Sequence, residues 1–417
     1  MKILHVNYIF PPKPNVADGI TQVVHRQTKA LAKKGHDVTV YASNALDLHG
    51  KARIEIENSP AYIDRVKIRY FPYLLRYNTI FFTPSIFYSV RDDIKKFDVI
   101  HIHDVRCLQC AIAAYHAGLF NIPIVFQPHG SFKSSSPSGR LRKLSRIFID
   151  KLYAEKVFKK VSKMVALSYM EAEQYKAMGV PEEKIAIIPN GIDLSEYANL
   201  PAKRSFRKKF SVDDDKKIIL YLGRIHKIKG LDILVRAYVY VVNKLGVNNV
   251  LLVIAGADDG YLGELEELLG QLRIADNVLL TGPLYGKDKL EAYVDADVFI
   301  LPSRYETFPN VVLEAYACSK PVIASNVYGL RDLVIDGVTG FLVEQGNVKQ
   351  MAHSILSLIG DDGRAEEMGL KGKQFVKENF TIEEVVHRIE NLYREVVSSQ
   401  PAIKAIQAIK NARYKSS

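Results

Sequence analysis

The stretch Ser303-Arg304-Tyr305-Glu306-Thr307-Phe308-Pro309-Asn310-Val311-Val312-Leu313-Glu314-Ala315 decides the fold of this 417-residue chain. It follows an apolar run at 297–301 that predicts a buried parallel strand, and its second half has the apolar spacing of a helix. A further apolar run starts at Pro321 and predicts the next strand. Strand, loop, helix and strand make a βαβ unit, and ligands of such sheets bind at the carboxyl ends of the strands. The loop in this stretch is therefore a predicted ligand site.

The start of the predicted helix suits an anion. Pro309 is expected at the first helical position, where its missing N–H group has no cost. The N–H groups of Asn310, Val311 and Val312 then face the loop, and a helix N-terminus attracts a negative group such as a phosphate.

Two carboxylates flank this predicted anion site, Glu306 in the loop and Glu314 about one turn into the helix. Neither is expected to contact a phosphate, because like charges repel. A carboxylate can accept two hydrogen bonds from a vicinal diol, as the ribose-binding acid of dinucleotide sites does. The stretch therefore suits a sugar, a diphosphate and a ribose along one helix start. The alternative is a helix-stabilising Glu in the first turn beside an exposed loop Glu, and this stretch alone does not decide between them.

A second stretch supplies positive charge. The apolar run 217–222 is followed by Gly223-Arg224-Ile225-His226-Lys227-Ile228-Lys229-Gly230 and then by a long helical pattern. Glycine lets the backbone approach a ligand closely. Arg224 offers a forked donor and Lys229 a mobile point charge, and both suit a diphosphate.

Alternating strand and helix patterns fill both halves of the chain and predict an α/β fold with doubly wound parallel sheets. Residues 199–216, with Pro201 and clustered charges, predict an exposed linker between the halves. The strand candidates are 3–10, 38–42, 66–70, 97–104, 123–127, 164–168 and 185–189 before this linker, and 217–222, 250–255, 278–281, 298–301, 322–325 and 340–343 after it.

Together the two stretches resemble the retaining glycosyltransferases of family 4 (glycosyl transferases group 1), whose C-terminal halves carry G-R-x4-K-G and later E-x7-E. Both motifs occur here in that order. The resemblance implies the GT-B fold, with two facing Rossmann-like domains and an interdomain cleft. Residues 1–198, with a terminal helix at about 380–417, are then the acceptor-binding domain, and residues 217–379 bind the donor.

The resemblance also implies roles for individual residues. Arg224 and Lys229 are expected at the diphosphate, Glu306 at a hydroxyl of the donor sugar and Glu314 at the ribose. The catalytic candidates are Glu306, His129, Arg224 and Lys229. The donor-binding candidates are Gly19, Gly223, Arg224, Lys229, Leu284, Glu306, Phe308, Pro309, Asn310, Val311 and Glu314.

The first half contributes weaker signals. His129 ends the predicted strand of Val125-Phe126-Gln127-Pro128-His129-Gly130 and is similar to the family's His-Gly element, whose histidine lies close to the transferred sugar. His103 and Asp104 follow another strand and are candidates for the acceptor side. Gly19 matches the second glycine of the family's phosphate loop, while Asp18 stands at the first. Asp18 is interpreted as the N-cap of the following helix.

The expected reaction is a front-face substitution in which the diphosphate leaves and its oxygen takes the proton of the incoming hydroxyl. No cofactor or metal is expected. Asp295-Ala296-Asp297 has the D-x-D form of metal-dependent transferases, but its place between helix and strand favours turn residues. The alternatives are a sugar-nucleotide epimerase, hydrolase or phosphorylase on the same fold, and a binding subunit without chemistry. A UDP sugar is favoured over a GDP sugar as donor.

Composition limits the cellular setting. The sequence is globular, with 48% hydrophobic and 25% charged residues, and no apolar run has the length of a membrane span. Its N-terminus predicts a strand and not a signal peptide. Cys107 and Cys110 form a lone CxxC that is interpreted as buried thiols, so a reducing, cytoplasmic location is expected.

The net positive charge is concentrated in the first half. Residues 1–200 hold 28 Lys and Arg against 18 Asp and Glu, whereas residues 201–417 hold 29 against 28. Ten of these bases lie from Lys133 to Lys163, at helical spacing around an apolar face, and an aromatic-rich run lies at 69–88. This combination predicts peripheral binding to an anionic membrane and a lipid-linked or glycan acceptor. The alternative is an ordinary surface helix over a core. No nucleic-acid partner is predicted, because no nucleic-acid-binding motif occurs.

Overall fold

The structure is a computed structural model that describes residues 1–12, 19–47, 50, 52–55, 60–77, 80–105, 107–132 and 160–415, with the backbone only for Tyr77 and 400–415. Asp18 and nearly all of the basic stretch from Lys133 to Lys163 lie outside the described residues.

The described residues form sixteen strands and thirteen α-helices. The strands are β1 (Lys2–Ile9), β2 (Asp37–Ser43), β3 (Ala61–Ile63), β4 (Val66–Phe71), β5 (Leu75–Tyr77), β6 (Ile80–Phe82), β7 (Val99–His103), β8 (Ile124–Gln127), β9 (Lys163–Ala166), β10 (Ile185–Ile187), β11 (Lys217–Leu222), β12 (Val250–Ala255), β13 (Val278–Gly282), β14 (Val298–Leu301), β15 (Val322–Ser325) and β16 (Gly340–Val343). The helices are α1 (Gly19–Lys33), α2 (Ser85–Asp93), α3 (Leu108–Leu119), α4 (Tyr169–Ala177), α5 (Ser205–Phe210), α6 (Leu231–Leu245), α7 (Leu262–Gln271), α8 (Gly286–Asp295), α9 (Asn310–Ala317), α10 (Tyr328–Arg331), α11 (Val348–Ile359), α12 (Asp362–Asn379) and α13 (Ile382–Lys415).

The chain divides into two compact units. The first unit is Met1–Gly191 together with Ile382–Ser417, and the second unit is Ile192–Thr381. The terminal helix α13 therefore belongs with the first unit, far from its neighbours in sequence.

The first unit is built on an eight-stranded sheet in the order β10-β9-β8-β7-β1-β2-β4-β3. Its strands pair in parallel except β3, which runs antiparallel to β4. The second unit is built on a six-stranded parallel sheet in the order β13-β12-β11-β14-β15-β16. The predicted α/β fold with doubly wound parallel sheets is confirmed.

Alternate residues of the first sheet pack into two separate cores. Leu4 and Ile100 belong to one core, while Ile3 and Val125 belong to the other. The second core is completed by α13, whose Val385, Ile389 and Tyr393 are buried against the strands. Because both faces are covered, a strand such as β1 is buried from Ile3 to Ile9 and does not alternate between buried and exposed residues.

Residues 199–216 differ from the predicted exposed linker. They contain α5, whose Phe206 is buried, and the carboxylate of Asp295 accepts hydrogen bonds from the N–H groups of Arg204 (2.6 Å) and Arg207 (3.1 Å) at the start of this helix. These contacts attach the segment to the second unit, so the chain changes unit at Ile192 and not after Ala198.

Candidate active site

Two loops of the second unit meet at one edge of its sheet. The loops follow β11 and β14, which are neighbouring parallel strands, so both leave the sheet at the same edge. Arg304 fastens them together. Its N–H donates to the carbonyl of Ile228 at 2.8 Å, and its guanidinium donates to both carboxylate oxygens of Asp232 at 2.8 and 2.7 Å. Such two-pronged contacts fix orientation as well as distance.

The two sequence motifs come into direct contact between these loops. The ammonium of Lys229 lies 2.6 Å from Oε1 of Glu306, and the hydroxyl of Ser303 donates to the same oxygen at 2.6 Å. The side chains of Lys229 and Glu306 are only 16% and 8% exposed. A cation and a carboxylate therefore share one shielded position between the two loops.

Glycines make this close approach possible. Gly230 has a φ of +68°, and a Cβ there would overlap the carbonyl oxygen of Pro302. A Cβ on Gly329 would overlap the carbonyl oxygens of Glu306 and Thr307. Gly329 was not predicted as a site residue, since nothing in its local sequence shows that α10 packs on this loop.

Arg224 is engaged differently from Lys229. Its side chain is 63% exposed, and its guanidinium lies 2.6 Å from Oδ2 of Asp259. Its carbonyl oxygen accepts a hydrogen bond from the hydroxyl of Tyr221 at 2.8 Å, which anchors the backbone after Gly223. Arg224 is thus held by a surface ion pair with a residue that sequence reasoning did not select.

Glu314 lies in a cluster that the sequence analysis missed. The ammonium of Lys289 lies 2.9 Å from its Oε1, and the hydroxyl of Tyr293 donates to its Oε2 at 3.2 Å. Burial and the Glu314 carboxylate raise the pKa of Tyr293 well above its usual value, so the phenol stays a donor. Both partners come from α8, and only the folded chain brings this helix beside α9.

The start of α9 differs from the predictions at Pro309 and at Val312. Pro309 is the N-cap, with φ −77° and ψ 109°, and the helix begins at Asn310. The prediction of Pro309 at the first helical position is therefore wrong by one residue, because its backbone is still extended. The N–H of Val312 donates to the carbonyl of Pro309 at 3.1 Å, so it does not face the loop as a free donor. An N-cap carbonyl normally accepts this first helical bond.

The remaining predicted donor-binding residues make contacts within the second unit that support its fold. Phe308 is buried and packs against Phe380, with ring centroids 5.8 Å apart. Leu284 is buried. Gly223 has the hydroxyl of Tyr221 only 2.9 Å from where a Cβ would lie, which explains a glycine there. The carbonyl oxygen of Val311 lies 3.2 Å from the Tyr293 hydroxyl, which shares its single proton between this oxygen and Glu314.

The D-x-D sequence has structural partners. Asp295 caps α5 as described above, and Asp297 accepts a hydrogen bond from the N–H of Ile218 at 2.7 Å and lies 3.4 Å from the ammonium of Lys217. Both carboxylates tie neighbouring segments together, as turn residues do.

The first unit brings its own candidates together. His103 ends β7 and His129 follows the adjacent strand β8, and Nδ1 of His103 lies 3.1 Å from Nε2 of His129. His129 has a φ of +54°, and the N–H of the following Gly130 donates to the buried carboxylate of Glu171 at 2.7 Å. Asp104, with a φ of +68°, accepts a hydrogen bond from the N–H of Val105 at 2.6 Å. Gly19, the remaining candidate, is the first residue of α1.

Further histidines lie behind this pair. Register places His5 of β1 beside His101 of β7, and Nδ1 of His5 lies 2.8 Å from Nε2 of His103. Burial lowers the pKa of His5 and His129 to about 3, and burial also lowers the pKa values of His101 and His103 well below their usual range. All four imidazoles are therefore neutral near pH 7. His5, His101 and His103 each offer a ligand nitrogen within 4.8 Å of the others, so they are the described group that could hold a metal ion.

Burial separates the remaining features of the first unit that the sequence singles out, the two cysteines of the CxxC sequence and the aromatic-rich run at 69–88. Cys107 and Cys110 are buried free thiols, and Sγ of Cys107 accepts a hydrogen bond from the N–H of Cys110 at 3.4 Å. The aromatic-rich run divides between a buried group and an exposed group. The buried residues are Tyr70, Phe71, Tyr73, Phe81 and Ile86, and the exposed ones are Leu74, Leu75, Phe82, Phe87 and Tyr88. Within the described part of the chain, no helix has the length and apolar character to cross a membrane.

Two glycosyltransferase family profiles and several glycosyltransferases match this sequence. The family profile described as Glycosyltransferase Family 4 matches residues 17–196, and that of Glycosyl transferases group 1 matches residues 202–375. An uncharacterised glycosyltransferase of Methanocaldococcus jannaschii is 28% identical over 402 residues, covering 94% of this chain and 98% of that protein. The D-inositol 3-phosphate glycosyltransferase of Xylanimonas cellulosilytica is 28% identical over 325 residues, covering 73% of this chain and 74% of that protein.

Solved structures share the fold. The crystal structure of Anabaena Alr3699/HepE in complex with UDP and glucose superposes with a TM-score of 0.75 at 20% identity, covering 95% of this chain and 100% of that one. The two profiles match successive halves of the chain, and these halves carry the two parallel sheets. The chain therefore belongs to glycosyltransferase family 4 and has the GT-B fold.

Proposed function

We propose that this glycosyltransferase takes its sugar from a nucleotide-diphosphate sugar and transfers it to an acceptor hydroxyl with retention of configuration. The observation that carries the proposal is the contact of Lys229 with Glu306, supported by Ser303. A positive charge that suits a diphosphate thus lies beside a carboxylate that suits sugar hydroxyls. A UDP sugar is favoured as donor, and the Anabaena relative in fold holds UDP and glucose.

Lys229 and Glu306 retain bonding capacity for a donor. An ammonium has three N–H donors, and one of them serves Glu306 at 2.6 Å. Both described contacts of Glu306 use Oε1, which leaves Oε2 to accept a hydrogen bond from a sugar hydroxyl.

Arg224 reaches the diphosphate by exchanging partners. Its present partner, Asp259, forms an exposed ion pair with it. Such pairs contribute only about 0–1 kcal/mol. A diphosphate offers the guanidinium more charge and a two-pronged contact, so the exchange is favourable.

Glu314 receives a ribose hydroxyl in this proposal. Lys289 and Tyr293 hold its carboxylate in place. A carboxylate held in one orientation can accept hydrogen bonds from the two neighbouring hydroxyls of a ribose.

The reaction is a front-face substitution. The bond between the anomeric carbon and the diphosphate oxygen breaks while the acceptor oxygen bonds to the same face of that carbon. The acceptor proton passes to the departing diphosphate oxygen. Lys229, Arg224 and the start of α9 at Asn310 stabilise the negative charge on the leaving group, so positive charge is supplied by the protein itself. His129 orients the sugar or the acceptor.

The acceptor belongs to the first unit in this proposal, where His103 and Asp104 lie beside His129. A lipid-linked or membrane-surface glycan is the proposed acceptor, and peripheral binding at the cytoplasmic membrane face is proposed with it. The exposed Leu74, Leu75 and Phe82 support this proposal, since apolar side chains in water favour an apolar partner.

A donor screen tests the proposal. Uridine, guanosine and adenosine diphosphate sugars are compared by thermal shift, since a ligand at a hundredfold excess over its Kd stabilises by about 2.7 kcal/mol. The stabilising donor is then incubated with acceptor, and the anomeric configuration of the product is read by NMR. An inverted product would contradict retention. Conversion of the donor without any acceptor would favour the epimerase or hydrolase reading.

A further inference from the structure

A continuous chain of hydrogen bonds runs from the terminal helix to His129. Nδ1 of His101 lies 2.6 Å from the hydroxyl of Tyr393 on α13, and this hydroxyl lies 3.4 Å from Nε2 of His5. Nδ1 of His5 lies 2.8 Å from Nε2 of His103, and Nδ1 of His103 lies 3.1 Å from Nε2 of His129. Of these five residues, only His129 is partly exposed to solvent.

Only two proton arrangements satisfy every bond in this chain and also give the proton of the Tyr393 hydroxyl an acceptor. Each imidazole is neutral and so carries one N–H and one lone pair. Once one bond has a direction, the other nitrogen of each ring must take the opposite role. The protons therefore point either all toward His129 or all toward His101.

The surroundings of His101 favour one of these two proton arrangements. Its Nε2 is buried and has no hydrogen-bond partner among the described residues. If the protons pointed toward His101, this nitrogen would carry a buried N–H with no acceptor. If they point toward His129, it carries only a lone pair. Buried unpaired N–H groups are rarer in proteins than buried unpaired acceptors, so the second arrangement is favoured.

We propose that Tyr393, His5 and His103 are positioning residues that hold His129 in the tautomer with its proton on Nδ1. His103 donates to Nε2 of His129, so Nδ1–H of His129 is the donor offered to a sugar or acceptor oxygen. The role of His129 at the reacting sugar rests on the proposed function, whereas the tautomer does not.

A metal ion on His5, His101 and His103 fits the contacts less well. Both ring nitrogens of His5 and both of His103 already lie at hydrogen-bond distance from a partner. A metal ion bound between Nδ1 of His5 and Nε2 of His103 would have to displace the proton that these two nitrogens share. The hydrogen-bonded chain uses all four nitrogens without this conflict.

NMR of the full chain labelled with ¹⁵N in histidine tests the tautomer directly, without substrate. The His129 resonances are assigned by their loss in His129→Gln. We expect Nδ1 of His129 to carry the proton and Nε2 to be unprotonated. A proton on Nε2 in the native protein would overturn the proposal, and so would one bound metal ion per chain by elemental analysis.

Tyr393→Phe tests the relay, because it removes the hydroxyl that donates to His5 and leaves the ring in place. We expect the Nε2–H tautomer of His129 to gain population. We also expect kcat to fall about three- to tenfold with the donor KM changed less than about twofold, since one oriented hydrogen bond is lost. Tyr41→Phe is the matched control, because its hydroxyl bonds Asp93 at 3.0 Å and its ring lies in the other core of the same sheet.

The outcomes separate this proposal from the proposed function. Tyr393→Phe with an unchanged His129 tautomer and unchanged kcat would overturn the relay. A shifted tautomer supports the relay even if no donor is used. In that case the proposed function has failed and the positioning chain has not.

Discussion

The ion pair of Lys229 and Glu306 is the shielded contact on which the donor site depends. Removing one partner of such a pair leaves the other as a charge that neither water nor protein compensates. The same logic applies to Lys289 and Glu314, whose side chains are also largely buried. In the proposed donor site the two lysines have different tasks, since Lys229 contacts the diphosphate and Lys289 orients the carboxylate that receives the ribose.

Lys229→Ala is expected to lower kcat/KM by about a hundredfold or more, as the loss of an electrostatic group at a leaving group does. Steady-state transfer with a saturating acceptor measures this. Lys227→Ala is the control, since that side chain is exposed and pairs with Glu264 at 3.4 Å. Equal activity of the two variants would show that Lys229 does not contact the diphosphate.

Lys289→Met is expected to raise the donor KM about tenfold, equivalent to ~1.4 kcal/mol, because Glu314 loses the cation that orients it. Lys287→Met, on the same helix, removes an exposed lysine that lies 3.6 Å from Glu291 and should leave the KM unchanged. Steady-state rates measured over a range of donor concentrations give the KM of each variant, and inhibition by the free nucleoside diphosphate gives its affinity. Matching KM values for the two variants would remove Glu314 from the ribose site.

At the scale of elements, helix α6 offers a test of how tightly the two loops must approach. Glycines with positive φ flank both of its ends, Gly230 at +68° and Gly246 at +72°. A Cβ at Gly246 would meet no atom within 4 Å, whereas one at Gly230 would overlap the carbonyl oxygen of Pro302. The two positions share backbone strain and differ only in crowding.

Gly246→Ala is therefore expected to destabilise the protein by about 1 kcal/mol, the strain of a left-handed residue. Gly230→Ala is expected to cost clearly more and to lower transfer activity, because Pro302 must move and carries the Glu306 loop with it. Urea unfolding and transfer rates of both variants measure the difference. Similar unfolding free energies would show that the loops adjust freely.

Local pattern predicted the elements better than their contacts. The apolar runs at β11, β14 and β15 fall where the sequence places them, because strands buried on both faces leave a continuous apolar signal. Helix α5 was missed because its single buried residue, Phe206, sits among charges that resemble a linker. The hairpin strands β5 and β6 are too short to give a periodic signal.

Of the site, the sequence predicted the residues that lie in the two motifs and not those that other elements bring to them. Glu306 and Lys229 were selected from their place in strand–loop–helix patterns and from the family motifs, and their contact follows from adjacent strands. Lys289, Tyr293 and His5 were not selected, because helix packing and strand register bring them to their partners. A histidine in the middle of an apolar strand, such as His5, looks like any other buried polar residue until its neighbours are known.

At the scale of the whole molecule, buried neutral histidines make stability depend on pH. The pKa of His5 is lowered to about 3 and that of His25 to about 4, in both cases chiefly by burial. In the unfolded chain both return to about 6.5. Below that pH the unfolded state binds protons that the folded state does not, so stability is full above about pH 6.5 and falls as the pH falls toward the folded values. His36, His101, His103, His116 and His129 also have lowered pKa values, and all seven histidines belong to the first unit.

We expect the first unit to lose about 2 kcal/mol for each fully buried histidine on going from neutral pH to pH 5. Urea unfolding with pulsed hydrogen exchange and mass spectrometry reads peptides of the two units separately. His25→Gln should reduce the loss by the contribution of one histidine. A loss of the same size in this variant, or in peptides of the second unit, would contradict the assignment.

Helix α13 closes the core that contains Ile3 and Val125, although it follows the whole second unit in the sequence. On a ribosome, the nascent first unit therefore emerges with this apolar face open and keeps it open while all of the second unit is translated. The second unit, being one continuous segment, can complete its fold on its own first. The first unit can thus be completed only after the second unit has been synthesised, although its first strands are the earliest part of the chain to be made.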